Sequence, residues 1–133
     1  MKNISIIGSG SWGTALAVHL AGMGNNIKMW SYSEEELDMI NIKKEHKNLP
    51  GVVIPNKVYC STDMKEVVEN TEILLIVTPS KVVREVTRQF KPYLTDQQIV
   101  ICSKGFERET LYTLDQVLEE ELPEFKIGGL SRT

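Results

Sequence analysis

The stretch Ile4-Ser5-Ile6-Ile7-Gly8-Ser9-Gly10-Ser11-Trp12-Gly13-Thr14-Ala15-Leu16-Ala17 sets a short run rich in β-branched residues ahead of a G-x-G-x-x-G pattern, and that pattern ahead of a helix-forming segment. Glycine-rich turns are common, so the pattern gains its meaning from this order. A strand that passes through such a turn into a helix aims the unpaired amides of the helix N-terminus at a pyrophosphate. Each glycine then has its own steric role. Gly8 permits the tight turn, Gly10 lets a dinucleotide approach without meeting a Cβ, and Gly13 lets the helix pack closely on the sheet. Ser9, Ser11 and Trp12 are expected to contact the ligand through backbone amides. A plain strand-to-helix turn would need one flexible residue rather than three at this register.

Outward from this point, Thr14 to Met23 has helical composition, with Ala17, Leu20 and Ala21 on one stripe, and stops at Gly24-Asn25-Asn26. Ile27 to Trp30 reads as the second strand. Ser33 with Glu36, and Asp63 with Glu66, are capping-box patterns that start helices. Between them, Leu49-Pro50-Gly51 through Pro55-Asn56 reads as an irregular surface excursion, followed by a strand over Val58 to Ser61. Ile73 to Thr78 is a continuous apolar strand ended by Pro79, with Ser80 placed to cap a helix that carries Val82, Val86 and Phe90. Ile99 to Ser103 repeats the scheme, and Leu111, Leu114, Leu118 and Leu122 form a further helical stripe. Strands apolar on both faces and alternating with helices predict a single α/β domain of the Rossmann type, a doubly wound, mostly parallel sheet with helices on both faces.

Composition excludes several function classes. With 133 residues, 41% hydrophobic and 25% charged, the chain is long enough for one core of several layers. A net charge of -3 and the lack of a basic cluster beyond Lys43 to Lys47, read as a solvated helix end, give no footprint for nucleic acid. No apolar run is long enough for an integral membrane segment, and Met1-Lys2-Asn3 leads into a strand rather than a signal sequence, so a cytoplasmic protein is expected. Cys60 and Cys102 read as buried free thiols, and His19 and His46 as structural residues without metal-site spacing.

After the second strand this fold usually places an acid for the ribose of NAD or an arginine for the extra phosphate of NADP. Ser31 and Tyr32 fall on the cofactor side there but supply neither. Glu34 and Glu36 follow, and they serve the first turn of the next helix as well as a ribose. Tyr32 is placed either to stack on adenine or to cover the sheet edge. Lys104, just past a strand end, opens onto the crevice where such sheets bind ligands; an ammonium there pairs with phosphate or polarises a carbonyl oxygen, although an ordinary surface lysine would look the same.

The block from Gly8 to Ala17 resembles the opening of bacterial-type NAD(P)-dependent glycerol-3-phosphate dehydrogenases, in which an aromatic residue commonly precedes the third glycine. Leu49-Pro50-Gly51, Ser61-Thr62-Asp63, Val77-Thr78-Pro79-Ser80 and Ser103-Lys104-Gly105-Phe106-Glu107 match in order. The resemblance implies NAD or NADP as cofactor and dihydroxyacetone phosphate and sn-glycerol 3-phosphate as substrates, with the product used for membrane phospholipids. It further implies that this region is the N-terminal dinucleotide-binding domain, and that the family's helical C-terminal domain, which carries the principal catalytic lysine, is absent here. By the same resemblance Lys104 lies near nicotinamide and substrate, and Pro79, Ser80 and Val82 flank the nicotinamide ribose, where a capped turn would also want Pro79 and Ser80. Members that use NADPH often carry an arginine near the position of Ser33, which leaves NAD open here. The family continues from Leu-Ser into Gly-Pro-Ser whereas this chain ends Leu130-Ser131-Arg132-Thr133, read as an artificial or disrupted end. A stand-alone dinucleotide-binding regulatory module, or a domain of another two-domain dehydrogenase such as a hydroxyacid or pyrroline-carboxylate reductase, would share the glycine turn.

Overall fold

The structure is a computed structural model and describes residues 1–129; the reading of Leu130 to Thr133 lies outside the described residues. The strands β1 (Asn3–Ile7), β2 (Asn26–Trp30), β3 (Val58–Ser61), β4 (Ile73–Ile76), β5 (Gln98–Ile101) and β6 (Ile127–Gly129) alternate with the helices α1 (Ser11–Gly22), α2 (Glu34–Asn41), α3 (Met64–Val68), α4 (Val83–Phe90) and α5 (Leu114–Glu121). All five strand pairings are parallel, in the order β3-β2-β1-β4-β5-β6. The order reverses between β1 and β4, and the carboxyl ends of those two strands open the crevice in which such sheets bind ligands.

Strand residues of alternate parity face opposite sides and feed two cores. Ile7, Leu74, Ile76, Ile99 and Ile101 meet Val67, Val86, Phe90 and Leu118 on the side of α3, α4 and α5. Ile4, Ile6, Ile27 and Met29 meet Ala17, Ala21, Ile40 and Ile54 on the other. The doubly wound arrangement expected from the sequence is thus present. Phe90 is fully buried, and truncating such a ring to alanine costs about 3–5 kcal/mol.

Several local readings need correction. The first helix starts at Ser11 rather than Thr14, because the glycine turn runs straight into it. Ser80 does not cap α4 with its side chain: it is the first residue of a 3₁₀ turn, Ser80–Val82, whose flanking Pro79 has no side chain capable of capping. Leu111 leaves the helical stripe; it has a φ of 62° and is 74% exposed, while α5 begins three residues later behind a full capping box of Thr113 and Gln116. The Ser33 and Asp63 oxygens do accept backbone N–H groups at their helix starts, from Glu36 in one case and from Lys65 and Glu66 in the other. Lys43 to Lys47 lies beyond the end of α2, with Lys43 and Lys47 exposed but His46 buried. Strand β6 had no sequence signal, since two of its three residues are glycine.

Candidate functional site

The glycine turn crosses the carboxyl end of β1 with Gly8 at a φ of 131°, a conformation closed to most side chains. A Cβ on Gly13 would lie 2.8 Å from Val77 Cγ2 and 3.0 Å from the Gly8 carbonyl oxygen, so the absence of a side chain there lets α1 close onto the sheet. Gly10 is different in kind. A Cβ at Gly10 would have no protein atom within 4 Å. Packing therefore does not require glycine at that position; what its smallness preserves is open space at the mouth of α1. No side chain caps that mouth, so the first-turn amides of the helix face the crevice with their hydrogens available to an anion. This cradle fits the diphosphate of a dinucleotide.

Around it lies a cleft of about 990 Å³, lined by Gly8 to Gly13, Trp30, Ser31, Tyr32, Glu36, Val77 to Ser80 and Cys102 to Lys104. That is the volume of a site for a large ligand. Of the residues singled out in the sequence, Ser9, Ser11, Trp12, Ser31, Tyr32, Pro79 and Lys104 come together here. Val82 is set back, packed against the core cluster. Tyr32 is 86% exposed, with its ring 6.1 Å from that of Trp30, so it covers little of the sheet edge and offers an open face to the cleft.

Two residues take up roles that sequence reading did not give them. Glu36 turns away from the backbone of its own capping position. Its Oε1 accepts hydrogen bonds from Ser9 Oγ at 2.6 Å and Ser31 Oγ at 2.9 Å, joining the glycine turn, the end of β2 and α2. His46, from the excursion between α2 and β3, is 3% exposed and reaches the same point. Its Nδ1 accepts from the Asn48 amide at 3.1 Å, which places the proton of the neutral ring on Nε2; that atom donates to the Ser9 carbonyl oxygen at 3.0 Å and lies 3.4 Å from Glu36 Oε2. His46 makes its hydrogen bonds within the protein, and what it holds is the glycine turn. Its position, 37 residues from Ser9, carries no local signal. The described residues contain no group of three or more His, Cys, Asp or Glu side chains able to hold a metal ion.

At the other end of the cleft, Ser103 Oγ donates to the carbonyl oxygens of Ile76 and Thr78 and so ties the end of β5 to that of β4. Lys104 follows, exposed on the rim, and Gly105 behind it has a φ of 110° and would carry a Cβ only 3.3 Å from Ser80 Oγ. The segment is fastened further on by Arg84 of α4, which donates to both oxygens of Glu107 and to Glu120 and Glu121. Arg84 and the Thr110 hydroxyl hold the Glu107 carboxyl below its ordinary value, and Arg88 followed by Arg84 does the same for Glu121. Burial pushes the Cys102 thiol up to about 11, and burial together with the charge of Glu36 pushes Cys60 to about 12, which makes both poor nucleophiles.

Comparison with known proteins agrees with this geometry. The chain is 40% identical over 125 residues to a glycerol-3-phosphate dehydrogenase [NAD(P)+] of Agathobacter rectalis, an alignment covering 92% of this chain and 37% of that protein. The crystal structure of glycerol-3-phosphate dehydrogenase from Coxiella burnetii superposes with a TM-score of 0.88 at 30% identity, covering 96% of this chain and 40% of that one. A pyrroline-5-carboxylate reductase from the same organism shares the fold alone, at 18% identity and a TM-score of 0.70 over 95% of this chain and 42% of its own. The chain thus spans about 37% of the length of the curated relatives it matches. No helix among the described residues is long and apolar enough to cross a membrane. Residues 3–131 match the family model described as NAD-dependent glycerol-3-phosphate dehydrogenase N-terminus, and the chain belongs to that family.

Proposed function

We propose that this chain is the dinucleotide-holding part of an oxidoreductase that interconverts dihydroxyacetone phosphate and sn-glycerol 3-phosphate, in a cytoplasmic supply of glycerol phosphate for phospholipids. The observation that carries the reading is Gly10, whose missing side chain serves no protein contact yet keeps the mouth of α1 open within the cleft. The bound dinucleotide supplies or accepts the hydride. The residues of the chain bind and orient it: the amides of the glycine turn take the diphosphate, Glu36 and Ser31 face the adenine ribose, and Tyr32 lies against adenine.

Toward the other end, Pro79 and Ser80 border the nicotinamide half. Lys104 brings an ammonium to the rim, where a phosphate or a carbonyl oxygen of the substrate is within its reach. Glu36 favours NAD(H): a carboxylate accepts from ribose hydroxyls but repels a 2′-phosphate, and Lys104, at the far end, is the only lysine or arginine lining the cleft among the described residues. Hydride transfer needs both reactants held together away from water. The relatives extend well beyond the region matched here, and we assign the remaining substrate grip and the principal catalytic lysine to their further domain. The chain alone is then a binder with little or no turnover.

Parallel titrations with NADH and NADPH by calorimetry test this reading, with Gly10→Val as the control. Saturable NADH binding that Gly10→Val abolishes, with the fold retained, is the expected result; an unchanged affinity in that variant overturns it.

A further inference from the structure

We propose that the Thr78 hydroxyl is a hydrogen-bonding group for the nicotinamide half of the dinucleotide, a role that rests on the cofactor reading above. Buried hydroxyls elsewhere in this fold have protein partners. Ser5 Oγ donates to the Val67 carbonyl oxygen, Thr71 Oγ1 to that of Val68, Thr14 Oγ1 to that of Ser9, Thr87 Oγ1 to that of Val83, and Ser31 Oγ to Glu36. Thr78 is 6% exposed, and among the described residues its Oγ1 is the one buried side-chain polar atom that no protein group pairs with. A buried hydroxyl without a partner is unfavourable in a protein interior, so its presence calls for a group that satisfies it.

Its place in the fold says which group. Thr78 lines the cleft just past the end of β4, next to the reversal of strand order. Its amide nitrogen is 3.3 Å from where a Gly8 side chain would begin, and its carbonyl oxygen is already taken by Ser103 Oγ. Two of its three polar atoms are thereby placed beside the glycine turn and the Lys104 segment, and the third, Oγ1, is the one without a protein partner. This is the β4 and β5 side of the cleft, opposite Glu36, Ser31 and Tyr32, which stand around the end of β2. A ligand oxygen beyond the diphosphate, on the ribose or the carboxamide of the nicotinamide half, meets the hydroxyl there. Thr78 stands at a bend past the end of β4 and not in a helix, where Thr87 finds the carbonyl oxygen four residues back.

The test compares the parent chain, Thr78→Val and Thr78→Ser by calorimetry with NADH and with ADP, together with the ligand-free Tm of each. Valine keeps the shape and removes the hydroxyl, so NADH affinity falls about fivefold, the worth of an ordinary hydrogen bond, while ADP affinity is unchanged. Serine keeps affinity for NADH close to the parent. The ligand-free Tm of Thr78→Val stays level or rises, because an unpaired hydroxyl has been replaced by a methyl group. Equal NADH affinity in parent and valine variant overturns the proposal. So does an equal loss for NADH and ADP, or a Tm that falls with valine, which marks the hydroxyl as part of the protein's own packing. A parent chain that binds no NADH overturns the cofactor reading itself and this inference with it, whereas NADH binding indifferent to valine removes Thr78 alone.

Discussion

Arg84 and Glu107 face each other through two hydrogen bonds, Nε to Oε2 at 2.7 Å and the second guanidinium nitrogen to Oε1 at 3.0 Å, in a pair whose side chains are only 17% and 13% exposed. Glu107 stands three residues past Lys104, so this pair fixes the segment that carries the rim lysine. Replacing Arg84 with alanine leaves Glu107 and Glu121 without their shared cation and is expected to lower stability by about 2 kcal/mol. The pairing also has a pH signature. Both carboxyls are held below their ordinary values, so their contribution is complete above about pH 4.3, the unfolded value, and is lost as pH falls through the lowered folded values. Urea unfolding of parent and Arg84→Ala at pH 7 and pH 3 should show a gap that narrows in acid; a gap of the same size at both would contradict this account.

Gly13→Ala separates packing from ligand space. A methyl group 2.8 Å from Val77 Cγ2 and 3.0 Å from a backbone oxygen forces α1 away from the sheet, with an expected loss of about 1–3 kcal/mol. Gly10→Ala meets no protein atom and should leave thermal unfolding close to the parent. If the two alanine variants melt alike, the assignment of separate roles to these glycines fails.

Glu36→Gln keeps most of the hydrogen bonding but removes the charge. The parent should bind NADH more tightly than NADPH, and the variant should narrow that ratio by about tenfold, mainly by improving NADPH. Ratios that match, measured under one salt condition, would show that Glu36 takes no part in selecting the cofactor.

His46→Ala removes the ring that holds the Ser9 carbonyl. Loss of a buried, doubly bonded imidazole should destabilise the chain by about 1–3 kcal/mol and weaken NADH binding. Glutamine, which can restore the donor to Ser9, should recover part of both. Full NADH affinity in His46→Ala would mean that the turn keeps its shape unaided.

The parts of the fold legible in the sequence were those written in local patterns. The run Ile73 to Thr78 declares a strand by its apolar residues, though β4 ends at Ile76, and Gly8 to Gly13 declares a strand-to-helix turn because strand, glycines and helix follow in order. The Thr113 and Gln116 box was equally local but lay hidden beside Leu111, which falls in helical register with Leu114, Leu118 and Leu122 by chance. What could not be read were relations across long separations. Nothing near His46 says that it will meet Ser9, and nothing near Glu36 distinguishes an acid for the helix dipole from one that joins the glycine turn to the end of β2. Thr78 looked like the tail of a strand; only its lack of a partner in three dimensions sets it apart.

The reach of His46 from the excursion to the glycine turn also orders events in time. The turn and its flanking strand and helix are contiguous and can assemble early, but the imidazole arrives only after a far longer loop has closed, at a greater entropic penalty. That loop, 37 residues between Ser9 and His46, is nevertheless shorter than the separation of 69 residues bridged where β1 meets β4, so the contact does not have to wait for the sheet to be complete. Because His46 belongs to no strand, a local opening of the excursion would free the imidazole from the Ser9 carbonyl while leaving every strand pairing in place.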